Sequence, residues 1–430
     1  MKYLEKITAI AILLSSMGFF FTLLYGKDVA ENTANSVDTG SVHTAVTAVN
    51  IALFLLAFIF ATSRYKQFLR AVRIAWPLLS VVAFCLLSTA WSIDPQLTFR
   101  RALFLLGTAS FGIYLGGRYT VPQISELFLS AMFLMCGFTL IYRLVLPSYV
   151  LDSYHGNALR GLTTHKNIFG EIMALFFLQL VLWAPPRKWR LVRYISMPLV
   201  FFSLLLARSS TSLIVCVLVT CLIPTFSVVK LPVRLRWPGI LFTGVFLALL
   251  AVGLNQMVDT ILGVLGKDAT LTGRATVWKL VMVAISRRPL LGYGFDVFWQ
   301  GLKGPSLEVI AGSGWVVPSA HNGFLQAVLD IGYLGLILVV VNIFVATKRA
   351  VAYCHRTPGR EGLWPMAFLL FYLLHAIAEA TLLTRGGPGI LLFVTLFTAL
   401  GIAEQQSRSN LKLRGIAAYE AEEPKLLTTA

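Results

Sequence analysis

From Lys6 onward the chain alternates long apolar runs with short polar stretches, and twelve apolar runs can be drawn along its length. They fall near 7–25, 44–62, 75–92, 102–117, 125–146, 166–184, 195–208, 212–229, 237–255, 325–346, 363–384 and 388–403. A helix needs about 20 apolar residues to cross the hydrocarbon core of a bilayer, and most of these runs approach that length. A spanning segment must also satisfy its own backbone polar groups, so helices are the economical solution. The pattern predicts an all-α polytopic membrane protein of about twelve spans. Its organisation reads as spans one to nine over 1–255, one long loop over 256–324, spans ten to twelve over 325–403 and a charged tail over 404–430. The first run follows Lys2 and Lys6 and lacks a small-x-small cleavage site, so it is expected to stay as a span and not act as a cleaved signal peptide.

Composition sharpens this picture. The 430 residues are 57% hydrophobic and only 13% charged, about half the charge of an ordinary soluble chain. A net charge of +17 would ordinarily raise the question of nucleic acid. The basic residues, however, sit in short clusters between apolar runs: "SRYKQFLRAVR", "RKWRLVR", "KLPVRLR" and "KRAVAYCHRTPGR". If the spans alternate, all four clusters fall on one side with both termini. That is the positive-inside pattern, which makes this side cytoplasmic and leaves no nucleic-acid footprint. The five cysteines show no CxxC or Cys/His metal spacing, so neither a disulfide nor a zinc site is expected.

The other side holds the long loop. "GRATVWKLVMVAISRRP" places Val277, Trp278, Leu280, Val281, Ala284 and Ile285 at helical spacing, which predicts an amphipathic helix on the outer membrane surface. The unusual polar residues gather on this side too: Asp94, Arg100, Arg101, Arg143, Arg160, Lys166, Glu171, Arg208, Arg274, His321, Asp330, Glu379 and Arg385. Charge beside or inside a span is costly and points first to function. A single arginine there is explained by snorkelling to headgroups. The set is better explained by an anionic ligand, because guanidinium forks match phosphate oxygens and never lose their charge.

Three stretches concentrate these residues. In "PSAHNGFLQAVLDIGYLG", His321 follows a Pro-Ser turn, and Asn322 offers a polar contact and a helix cap. Histidine is the natural general base near neutral pH. In "LRGLTTHKNIFGE", Arg160, His165, Lys166 and Asn167 crowd the entrance of a span, and "WSIDPQLTFRR" adds Arg100 and Arg101. His321 and Arg274 are therefore the candidate catalytic residues. Arg160, Arg101, Lys166, Asn322, Arg100 and His165 are the candidate substrate-binding residues. No metal is assigned.

These stretches, together with "RSSTS", "TGRATVWKLV" and "RRPLLGYGFDVFW", occur in an order that resembles the O-antigen ligase-like, Wzy-type polymerase family of bacterial surface-polysaccharide proteins. The "HKN" and "GYGFDVFW" forms are most similar to its exopolysaccharide polymerases of the ExoQ type. The resemblance implies a C-type glycosyltransferase (GT-C) membrane fold in the inner membrane, with the site on the periplasmic side. It implies transfer of glycan from an undecaprenyl-pyrophosphate donor to a glycan or lipid acceptor. The family's loop histidine falls on His321, its loop arginine on Arg274 and the arginine before its sixth span on Arg160. No cofactor is implied, and a chain-length regulator is carried as a further partner. On this reading the arginines stabilise charge on the departing pyrophosphate and His321 takes the acceptor's proton, with inversion and without metal, oriented by Glu379 or Asp330. Two other readings stay open: a ligase moving finished glycan to lipid A-core or another acceptor, and an exporter. An exporter would want charged, broken helices near the midplane and repeated halves.

Overall fold

The computed structural model describes residues 2–24, 44–226 and 273–427. The expected span at 237–255, the basic loop before it and the first part of the long loop, 256–272, lie outside the described residues. The described helices used below are α1 (Lys2–Ser16), α2 (Thr44–Ser63), α3 (Tyr65–Ile74), α4 (Trp76–Leu87), α5 (Pro95–Arg118), α6 (Val121–Val145) and α7 (Lys166–Leu182). They continue with α8 (Arg190–Leu206), α9 (Ser210–Phe226), α10 (Arg274–Arg287), α11 (Ser306–Ser313), α12 (Gly323–Arg356), α13 (Trp364–Ala378) and α14 (Pro388–Leu427). A small antiparallel hairpin, β1 (Leu151–Asp152) with β2 (Ala158–Leu159), precedes α7.

Among the described residues six segments are long and apolar enough to cross a membrane: Ala45–Ser63, Val121–Val145, Arg187–Leu206, Gly323–Arg356, Arg360–Ala378 and Pro388–Asn410. The chain is thus an all-α, multi-pass membrane protein. The remaining long helices are shorter, as α7 and α9 are, or carry several arginines, as α5 does. Large apolar side chains point outward from α2 (Leu55, Phe58), α8 (Ile195, Phe202) and α12 (Ile337, Phe344), where lipid and not water would cover them. α14 is the central post: 78% of its apolar window is buried, against 17% for α2.

α5 and α14 approach closely because α5 is cut away at Gly112 and Gly116. A Cβ on Gly112 would stand 2.8 Å from Val394 Cγ1, and one on Gly116 would stand 2.7 Å from Thr398 Cβ and collide with the Thr395 carbonyl. Small residues four apart let helix backbones meet where no hydrophobic drive separates helix from lipid. Gly116→Leu is accordingly expected to destabilise the detergent-solubilised protein by about 1–3 kcal/mol, read as a lowered thermal transition.

The element boundaries differ from the sequence expectations in four instructive places. The basic "YKQFLRAVRI" is helix α3, bent by 79° from the following helix. Its charges line one side, and Arg70 bonds Gln405 at 2.9 Å. α5 starts at Pro95, not 102, because the Asp94 carboxylate caps it by accepting from the Leu97 amide at 3.0 Å. Arg100 and Arg101 are therefore helical. α13 stops at Ala378, which puts Glu379 in the following connection, not inside a span. α14 continues beyond 403 through Leu427.

The described part of the long loop folds onto protein. Val277, Val281, Ala284 and Ile285 of α10 are buried with Val309 of α11, Phe298, and Val328 and Leu329 of α12. The amphipathic face predicted to lie on the membrane surface thus has a protein partner. What receives this loop is a break in α12 at Gly332, where φ is +67°. The break frees backbone groups that the loop then pairs: Tyr293 and Gly294 donate to the Leu329 and Asp330 carbonyls at 2.8 and 3.0 Å, and Tyr333 donates to Pro289 at 2.8 Å. Only glycine fits at 332, since a Cβ there would run into the Leu290 carbonyl.

Candidate active site

His321 sits one residue before the Asn322 cap of α12. Two contacts hold its loop: Trp278 of α10 donates its indole N–H to the Ala320 carbonyl at 3.0 Å, and the Gln326 side chain accepts from the Ala320 amide at 3.1 Å. His321 itself adopts a left-handed backbone, φ +45°. Such a conformation in a non-glycine residue costs free energy and is kept where the surroundings impose it. Its ring lies against Trp315, centroids 5.8 Å apart, and its Nδ1 is 3.5 Å from Glu379 Oε2. Both ring nitrogens are shielded from solvent, and neither has a hydrogen-bond partner among the described residues.

Glu379 ties the centre together. Arg274, the first residue of α10, donates Nη2 to Glu379 Oε1 at 2.8 Å and Nη1 to the Ala378 carbonyl at 2.6 Å. Asn167 of α7 donates Nδ2 to the same Glu379 oxygen at 3.2 Å. Burial alone would raise the Glu379 carboxyl; the neighbouring His321 ring and the Arg274 charge outweigh it and hold the group at about 2. Glu379 is thus an anion across the physiological range. Arg274 has five N–H donors and commits two of them to these contacts, so guanidinium capacity remains for an anion.

The second group of residues is built by the hairpin before α7. Arg160 is fully buried, and its guanidinium donates to the carbonyls of Thr163 (2.9 Å), Tyr149 (3.0 Å) and Leu151 (3.3 Å). The sequence suggested substrate contact for Arg160; the structure places it as an internal clamp for the hairpin. His165 caps α7, its Nδ1 accepting from the Asn167 amide at 3.1 Å. Burial, helped by the nearby His155, pushes His165 down to about 4, so this ring is neutral. Lys166 Nζ stands 3.5 Å from the Arg208 carbonyl. Asn322 spends its side-chain oxygen on the amides of Phe324 and Leu325, each at 3.0 Å, as a cap.

A third group surrounds Asp296, whose φ of +58° lies in the left-handed region. Arg385 pairs with its carboxylate and Arg101 donates to its carbonyl. Arg100 lies on the exposed side of α5. Asp330 accepts from Gln326 Nε2 at 3.0 Å, and of the two carboxylates expected to orient the histidine it is Glu379 that faces it. One connection, 379–387, links the first and third groups through Glu379 and Arg385. A cavity of about 410 Å³ lined by Arg349, Arg356 and Glu404 touches none of these residues; it lies at the far end of α12.

Of the predicted residues, His321 and Arg274 meet directly at Glu379, and His165 and Lys166 adjoin them through Asn167. Asn167, Asp152, His155 and Asp296 were not singled out as site residues. Asn167 belongs to the "HKN" stretch, and Glu379 falls inside the expected span 363–384 as one of the two carboxylates expected to orient the histidine. The hairpin pair Asp152 and His155 carried no local signal beyond a polar loop.

Residues 195–340 match the protein family described as O-antigen ligase. Over 150 residues the chain is 35% identical to the "Exopolysaccharide production protein ExoQ" of Rhizobium meliloti (strain 1021), an alignment covering 33% of each chain. The chain thus spans about a third of the length of this curated relative. Arg274 and His321 fall inside the family match; Arg160, His165, Lys166 and Glu379 fall outside it. The chain is thus similar to the O-antigen ligase family over residues 195–340 and to this exopolysaccharide production protein over a third of its length.

Proposed function

We propose that this protein is a glycosyltransferase that polymerises lipid-pyrophosphate-linked oligosaccharide repeat units at the periplasmic face of the inner membrane, in exopolysaccharide synthesis. The observation that carries the reading is the His321 imidazole: shielded, with no hydrogen bond to either ring nitrogen among the described residues, held in a strained backbone and facing the Arg274–Glu379 pair through Nδ1. A buried polar group left unsatisfied is costly unless something else completes it. A substrate hydroxyl would do so.

The chemistry follows from the residues. The acceptor hydroxyl loses its proton to His321 as its oxygen attacks the anomeric carbon of the donor. The bond from that carbon to the pyrophosphate oxygen breaks, and the pyrophosphate leaves on its lipid with the electron pair. Glu379 stabilises the imidazolium that forms, and Arg274 offers N–H groups to the departing phosphate. The polyprenyl donor, the twelve-span GT-C fold, the cytoplasmic termini and the chain-length regulator belong to this same reading.

The runner-up keeps the chemistry and changes the acceptor, a ligase reading that the name of the matched family favours. Deleting the gene separates them. Loss of a polymerase is expected to leave single repeat units at the cell surface; loss of a ligase is expected to leave long chains on the lipid carrier. Long carrier-bound chains in the deletion strain would overturn the polymerase reading.

A further inference from the structure

The hairpin that Arg160 clamps carries a pair of residues that neither motif reading nor family match brings forward. Asp152 ends β1, is 2% exposed, and accepts from the His155 amide at 3.2 Å and from His155 Nδ1 at 2.9 Å. The turn between them is tightly built. Gly156 and Asn157 are both left-handed, and Arg208, itself at φ +49°, donates Nη1 to the Gly156 carbonyl at 3.0 Å. His165 stands edge-to-face against His155, ring centroids 5.0 Å apart.

We propose that His155, backed by Asp152, binds a phosphate oxygen of the anionic donor together with His165 and Lys166. The inference rests on the lipid-pyrophosphate reading of the site and adds to it the group that takes over, on this flank, the contact expected of Arg160. The hydrogen bonds assign the protons. The carboxylate of Asp152 fixes the proton on His155 Nδ1, which leaves Nε2 as the uncommitted nitrogen of a ring about a third exposed. Protonated, that nitrogen becomes a charge-assisted donor. In His165 the lone pair of Nδ1 is taken by the Asn167 amide, so the neutral ring carries its proton on Nε2 as a second donor. Lys166 and Arg208 set two more cations against the single carboxylate of Asp152. Two residues on from His165, Asn167 bonds Glu379, so the cluster borders the centre containing His321 and Arg274.

The same residues invite another interpretation. Ligand atoms of Asp152, His155 and His165 lie within 4.8 Å of one another, a spacing that could hold a metal ion. A metal would need a free lone pair from both rings, and the Asn167 amide occupies the one on His165 Nδ1. The adjoining lysine and arginine also repel a cation. Phosphate suits this environment better.

The test uses the purified full chain in detergent, titrated with inorganic pyrophosphate. His155→Gln should weaken binding about tenfold, the scale of one hydrogen bond to a charged group. His155→Lys should keep the affinity and serve as the folding control. The groups facing His155 are Asp152, His165, Lys166 and Arg208. Pyrophosphate affinity indifferent to His155→Gln overturns the inference, as does stoichiometric Zn²⁺ binding that His155→Gln abolishes. Glycan transfer by the same wild-type preparation reports separately on the donor reading. A protein that transfers glycan while ignoring His155 sinks this inference alone; one that never uses a lipid-pyrophosphate donor sinks the function.

Discussion

His321→Gly should stop polymer formation and leave a protein that folds, inserts and accumulates lipid-linked repeat units. A general base contributes about 10²–10⁴ in rate, and no other described imidazole is within reach of Glu379 to replace it at 3.5 Å. The choice of glycine comes from the backbone. At φ +45° a Cβ is strained, so His321→Ala loses the ring and keeps the strain, whereas His321→Gly loses both. Glycine should therefore be the more stable of the two variants by about 1 kcal/mol, measured as thermal transitions of the solubilised proteins. Polymer of normal length from either variant would remove His321 from the chemistry. Alanine proving as stable as glycine would show that the left-handed backbone is not an imposed feature of the loop.

The helical, membrane-spanning character was legible because apolar length is a one-dimensional property, and the runs at 44–62, 125–146 and 325–346 reappear as α2, α6 and α12. Ends were less legible. α5 begins early because of one aspartate cap, and α13 ends early although its apolar run continues past Ala378. Arginine was the most misleading residue. Its position relative to apolar runs told side from side, but not what its five donors would meet. Arg160 binds three backbone carbonyls, Arg193 pairs the carbonyls of Leu180 and Val181 at the end of α7, and Arg349 bonds the carbonyls of Phe397 and Ile74. Each is a clamp inside the bundle, where a polyvalent donor satisfies carbonyls that no water reaches. Arg274 differs in pairing with a carboxylate that an imidazole also faces. That distinction is a matter of three-dimensional neighbours, and the partner lies 105 positions away in the chain.

The Glu379 carboxylate yields the other large effect. Glu379→Gln keeps the shape and removes the charge that Arg274, Asn167 and His321 share. The imidazolium formed in the transition state then loses its counter-charge, and transfer should fall by about 10²-fold or more, with donor affinity changed far less. A merely structural glutamate would lower the amount of active protein and leave the rate per folded molecule unchanged. Stability supplies an independent readout. In the unfolded chain this carboxyl binds its proton near 4.5, in the folded protein only near 2, so protons below about 4.5 favour the unfolded chain. The stability contributed by ionised Glu379 is fully present above that range and is lost as the pH falls toward 2. Wild-type protein should accordingly lose thermal stability between about pH 5 and 3 more steeply than Glu379→Gln, whose amide does not titrate. Parallel stability curves for the two proteins, together with an unchanged transfer rate, would show that Glu379 neither carries the buried charge nor supports the base.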